Sequence, residues 1–290
     1  MHPGRYPDMS HHPLFQHDQK GFTLVEAIMV MTITGILAAG VAVFIQKPVQ
    51  GYFDLARRTE LSDIADTAVR RISRDLHLAL PNSVRTVAAD TSCIEFLPTK
   101  MGGRYRADVP GNVVDTAVAT SIVETIGPLS TAPVAGDRVV IYNLGITGAD
   151  AYNSDNSGVV ASSATSATST QITLSPSKLF PFTSPANRLH IISGTEQAVF
   201  YACKLTGVDA AGNGLGHLYR FSGYGINSSV SSCPAITSST PVLADNVSSC
   251  SFNFASGVTA RTGLVSIRLG ITKSNETVTL YHDVHVSNVP

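Results

Sequence analysis

Lys20-Gly21-Phe22-Thr23-Leu24-Val25-Glu26 opens the stretch that decides the fold of this 290-residue chain. From Phe22 to Ile45 the only ionisable side chain is Glu26. The rest is Val, Ile, Leu, Met, Ala and Phe, diluted by Thr23, Thr32, Thr34, Gly35 and Gly40. At about 1.5 Å of rise per residue, a helix of that length spans roughly 36 Å, enough to cross a bilayer core. A carboxylate so early in such a run is costly in lipid and marks a function, with a partner cation to be found. A secretory signal peptide has a shorter apolar core, followed rather than preceded by its cut site.

Working outward, residues 1–21 read as a polar, Pro-broken leader. Its His2, His11, His12 and His17 carry no expected metal role. Arg5 and Lys20 precede the span and Lys47, Arg57 and Arg58 follow it, so the positive-inside count does not favour a cytoplasmic leader. Residues 22–45 are the expected membrane or filament-core helix, and 46–81 its amphipathic continuation. There Leu61, Ile64, Ala65, Ala68, Val69, Ile72 and Leu76 recur at steps of three and four and form one apolar stripe. Arg57, Asp63, Asp66, Arg70, Arg71, Arg74 and Asp75 fill the other sides, with Asp66 and Arg70 at helical pairing distance. Pro48 lacks a backbone donor and is expected to kink or loosen the helix; Pro81 stops it. A nearly continuous helix over 22–80 spans roughly 90 Å.

From Ser83 the period changes to two. Strands are expected over 83–87, 93–97, 121–126, 137–142, 189–192, 197–203, 217–221, 249–254, 264–272 and 276–286, separated by Gly, Pro, Asn and Ser clusters. Lys273, Ser274 and Asn275 are few enough to join the last two as a hairpin. His282 falls on the apolar parity of its strand, as a hydrogen-bonded core histidine would, and His285 lies on the opposite face. Residues 145–170 lack periodicity and are rich in Gly, Ser, Thr and Asn, which predicts a long exposed loop. Asp150, Asn153 and Asp155 in it lack the bidentate acid of a calcium loop. The fold class expected is α+β: a long N-terminal helix packed on an antiparallel β head that covers 82–290.

Charged residues make up 14% of the chain and the net charge is −1, so nothing points to nucleic acid. Cys93, Cys203, Cys233 and Cys250 all follow the apolar run, an even count that argues for disulfides in an oxidising compartment. Four cysteines permit three pairings. The short bracket from Cys203 to Cys233 favours that pair, which leaves Cys93 with Cys250. No nucleophile elbow, P-loop or zinc-protease helix occurs. Gly212, Gly214 and Gly216 precede a strand rather than follow one and read as a turn. No catalytic residue, cofactor or metal is expected.

A basic residue, Gly, Phe and a Glu five residues after the Gly resemble the signal of type IV prepilins and pseudopilins. The resemblance implies that prepilin peptidase cuts between Gly21 and Phe22 and that Phe22 becomes N-methylated. Glu26 would then pair with the terminal amine of a neighbouring subunit. The segments VVIYN (139–143), DAYN (150–153), LYRFSGYGI (218–226), LADNVSSCSF (243–252), GLVSIRLGIT (263–272) and VTLYHDVHVSNVP (278–290) resemble MshO-type minor pilins of mannose-sensitive haemagglutinin (MSHA) pili. More distantly they are similar to J-type pseudopilins of type II secretion and W-type minor pilins. The expected role is in starting or capping a filament and so in surface attachment. The expected partners are prepilin peptidase, other minor and major pilins, the inner-membrane assembly platform and the membrane itself. The head would lie in the periplasm before assembly and on the pilus afterwards. A J-type pseudopilin or a pilus-tip ligand-binding module are the alternative functions.

Overall fold

The computed structural model describes residues 21–87, 90–235, 237, 239–256 and 262–290; most of the expected leader, with its four histidines and Lys20, lies outside them. The chain divides into two units, Met1–Leu55 and Ala56–Pro290. One helix, α1 (Leu24–His77), runs through the boundary and continues through Pro48 without a break. In the first unit it presents apolar side chains to its surroundings throughout, from Leu24 and Met31 to Phe44 and Phe53. It is long and apolar enough to cross a membrane, and none of its apolar window is buried within the chain. The hydroxyls inside that run are satisfied locally: Thr32 donates to the Ile28 and Met29 carbonyls at 3.0 and 2.9 Å, and Thr34 to those of Val30 and Met31. Back-bonding of this kind lets threonine enter an apolar medium without an unpaired donor.

In the second unit the described strands follow in chain order: β1 (Arg85–Val87), β2 (Asp90–Phe96), β3 (Thr99–Arg104), β4 (Thr120–Glu124), β5 (Arg138–Ile141), β6 (Ser157–Thr165) and β7 (Thr170–Lys178). Then come β8 (Arg188–Ile192), β9 (Val199–Lys204), β10 (Gly216–Ser222), β11 (Val242–Ser256), β12 (Thr262–Lys273) and β13 (Glu276–Ser287). They form two antiparallel sheets, ordered β1-β2-β9-β10-β11-β12-β13 and β3-β8-β5-β6-β7-β4. The fold is α+β and pilin-like. Every strand expected from the alternation overlaps an observed one; most bounds shift by a few residues, while β11 is much longer than expected and begins already at Val242.

The first sheet buries the helical stripe. Leu61, Ala65, Ala68, Val69, Ile72 and Leu76 pack against Phe96, Tyr201, Val247, Phe252 and Ile267 among others, with Ile64 at the margin. Ser274 and Asn275 both have positive φ, 51° and 64°, and close the β12–β13 hairpin between the paired residues Lys273 and Glu276. Such a two-residue turn matches the twist of the strands it joins. The second sheet encloses its own core, centred on Tyr105, Val123, Ile172, Phe180 and Ile191. Its edges meet: Arg106 donates to the Glu124 carbonyl and Ile126 to that of Arg104, so the sheet curls back on itself around that core.

Three expectations fail here. Residues 145–170 are not a loop: they hold a 3-10 turn at Ala151–Asn153, all of β6 and the start of β7. Along β6 and β7 only Val160, Ile172 and Leu174 join the core of the second sheet, among Ser, Thr and Ala, so the apolar signal of these strands is thin. Asp75, placed with the charged residues on the sides of the helix away from the apolar stripe, is buried, 8% exposed. His282 is on the expected face, opposite Ile267, but stays exposed in a cleft of about 440 Å³ beside Arg70 and His77 of α1.

Candidate functional site

The start of α1 is built by Thr23. Its hydroxyl accepts a hydrogen bond from the Glu26 N–H at 3.2 Å, and its carbonyl accepts from Ala27 at 3.1 Å. Thr23-Leu24-Val25-Glu26 therefore has the spacing of a capping box, with Thr23 as the cap and Glu26 in the third helical position. Only half of the box closes, because the Glu26 carboxylate makes no hydrogen bond or ion pair among the described residues. The positive end of the helix dipole favours an anion at that position, which lowers the cost of keeping one there. Sequence reasoning assigned Glu26 a partner charge and missed the cap, although the Thr-x-x-Glu pattern was there to find.

Phe22 is 81% exposed. Gly21 has an ordinary backbone, and a Cβ added to it would meet nothing within 4 Å. The fold itself thus places no demand for glycine at that position. A requirement for it belongs to whatever approaches the Gly21–Phe22 bond from outside.

All four cysteines are joined, but as Cys93–Cys233 and Cys203–Cys250 rather than in the expected pairing. The reason is parity. Cys93 on β2 lies opposite Ala202, whereas Cys203 is the next residue along β9 and points to the other face. Cys203 and Cys250 sit in the core beneath α1. Cys93 packs on the outer face with Phe200, Tyr219 and Phe221, where Cys233 pins the excursion between β10 and β11. Asp90 stands beside that second bridge, yet its sulfurs are already covalently committed. Asp150 accepts from the Tyr152 N–H at 2.9 Å and Asp155 from the Gly148 N–H at 3.0 Å, so these carboxylates organise a turn.

Asp75 anchors α1 to the first sheet. Tyr201 on β9 donates its phenol to it at 2.7 Å, Arg220 on β10 its Nε at 2.8 Å, and Arg71 lies at 3.3 Å. Arg220 and Tyr201 are cross-strand neighbours, and Arg220 reaches on to Glu196 at 2.5 Å. Burial, and then the neighbouring Asp75 carboxylate, push the Tyr201 phenol well above its usual range. On the outer face Glu95 is fully buried, held by Arg85 at 2.6 Å and by the Tyr224 hydroxyl at 2.8 Å. Burial still raises its carboxyl above the ordinary value. Lys100 reaches the buried Asp137 at 2.8 Å, while the Val134 and Gly194 N–H groups donate to the same carboxylate.

Residues 16–42 match the family model described as the prokaryotic N-terminal methylation motif. No curated protein and no solved structure matches the chain. The motif match, which includes Gly21, Phe22 and Glu26, and the pilin-like fold support a type IV pilin-like or pseudopilin protein. The single apolar helix fits a single-pass inner-membrane protein, and the motif implies processing by prepilin peptidase and association with other pilins.

Proposed function

We propose that the chain is a non-enzymatic minor pilin of an MSHA-like type IV pilus, of the MshO type, which helps start or cap the filament and so contributes to surface attachment. The observation that carries this reading is Glu26: a carboxylate without a partner among the described residues, in the first turn of an exposed apolar helix, five residues after a glycine the fold does not require. Once the bond after Gly21 is cut, Phe22 carries an α-amine. In a bundle of such helices the amine of one subunit and the Glu26 carboxylate of another offset each other's desolvation. The inner-membrane assembly platform and other minor pilins are the partners this role requires, with the β head in the periplasm until assembly. The test is co-purification of the Glu26→Gln chain with the minor pilins of its own system, alongside a count of surface pili. Loss of the complex and fewer pili are expected. Normal complex yield with normal piliation would sink the pairing role.

A further inference from the structure

The second sheet carries an unneutralised positive site. Arg104 on β3 and Arg188 on β8 are directly opposed in the antiparallel register. Both are exposed, and neither guanidinium makes a hydrogen bond or ion pair among the described residues. Like charges facing each other across a ladder are unfavourable, so the fold alone gives no reason for the pair. Lys100, on the same strand, is different: its charge is already taken by Asp137. The arginines border a groove of about 590 Å³ that runs between the β3–β8 pair and the segment following α1. Among the described residues no acidic one lines it. His77 and His190 do, with Leu78 and Val289, which are 53% and 41% exposed, as an apolar wall.

Two of the lining residues hold a polar atom without a partner among the described residues. The Nε2 of His190 and the hydroxyl of Thr99 are both screened from water without a hydrogen bond. Burial, and secondarily Arg188, lower the His190 imidazole to about 4, so near neutral pH it is a neutral donor or acceptor rather than a third cation. Gly102 lies opposite His190, and its missing side chain leaves the floor of the groove open between the histidine and the arginines. Each guanidinium fork matches a planar oxyanion, and the volume is that of a small-molecule site.

We propose that this groove binds a small organic anion, a carboxylate borne on a ring, with Arg104 and Arg188 gripping the carboxylate and Leu78 and Val289 against the ring. The inference does not depend on which filament the chain enters. Calorimetric titration of the full chain in detergent micelles with glucuronate, glucose and inorganic sulfate tests it. Glucuronate is expected to bind, with glucose and sulfate each weaker by about tenfold or more. Arg104→Gln with Arg188→Gln is expected to weaken glucuronate by about tenfold or more without lowering the melting temperature, since a repulsion is removed. Should that variant lose its cooperative melt, Arg188→Lys keeps the charge and removes the fork, and weaker glucuronate binding is again expected. Absence of glucuronate binding, equal binding of glucose, tighter binding of sulfate, or unchanged affinity in the readable variant would each overturn the proposal.

Discussion

Glu26 shows how one residue serves two demands that the sequence superimposes. Its backbone N–H donates to the Thr23 cap, while its carboxylate makes no hydrogen bond or ion pair among the described residues. Substitution separates the two: Glu26→Gln keeps the N–H and removes the charge, so helix content and peptidase cleavage should be retained while subunit association is lost. Removing one member of a buried ion pair costs on the order of 3–5 kcal/mol, because the other charge is left alone. Circular dichroism together with co-purification reads both halves of that prediction. His190 supplies a second test at this scale. Its folded value of about 4 lies below that of a free imidazole, so its contribution is fully present above about pH 6.5 and is lost as pH falls towards 4. The melting temperature should fall over that window by the equivalent of up to about 3 kcal/mol, and His190→Gln should flatten the fall. The expected cleavage site after Gly21 and the Glu26 carboxylate stand out in one dimension because a charge in an apolar run is visible without coordinates. The settings of His190 and His282 are not, since parity names the face of a strand and says nothing of what covers it.

At the scale of elements, α1 is held to the first sheet by its apolar stripe and by one buried carboxylate. The stripe is periodic and therefore legible; Asp75 is not, because its partners Tyr201 and Arg220 come from strands more than a hundred residues away. Asp75→Ala leaves the buried end of Arg220 with only Glu196 and should destabilise the head by about 3 kcal/mol in thermal or urea unfolding. Asp66→Ala, which removes only the exposed pair with Arg70 at 2.6 Å, should cost well under about 1 kcal/mol. The disulfides make a parallel case. Loop length in sequence suggested Cys203 with Cys233, yet the pleat puts Cys93 and Cys203 on opposite faces of one sheet, so each bonds within its own core. Non-reducing peptide mapping should recover Cys93–Cys233 and Cys203–Cys250, and any crossed pair would contradict this register. Removing either bridge should cost about 2–4 kcal/mol, and the two losses should be separable, as the bridges lie in different clusters. Strands β6 and β7 escaped detection because their outward positions are Ser, Thr and Ala, which mimic loop composition. Strand β3 escaped because Gly102 and Gly103 interrupt its alternation.

For the molecule as a whole, two kinds of surface follow one another along one chain. Among the described residues, those up to Leu55 form an apolar helix left exposed, whereas those from Ala56 onward bury their apolar side chains in the cores of two sheets. Such a chain is incomplete alone in water: its first unit requires lipid or the helices of other subunits. The sequence makes this division plain, since the charge-free run, the amphipathic stripe and the period-two region succeed each other. The division into two sheets with separate cores is not plain, because strand order depends on pairings such as β2 with β9 that no local pattern encodes. The central claim is that the helix is delivered by cutting before Phe22 and then packs among others of its kind. Mass spectrometry of the N-terminal peptide of the membrane-extracted protein tests it most directly. The account predicts a terminus at N-methylated Phe22 in cells with active prepilin peptidase and an uncut chain when Gly21 is replaced by a bulky residue. An intact Met1 terminus in cells with active peptidase would contradict it.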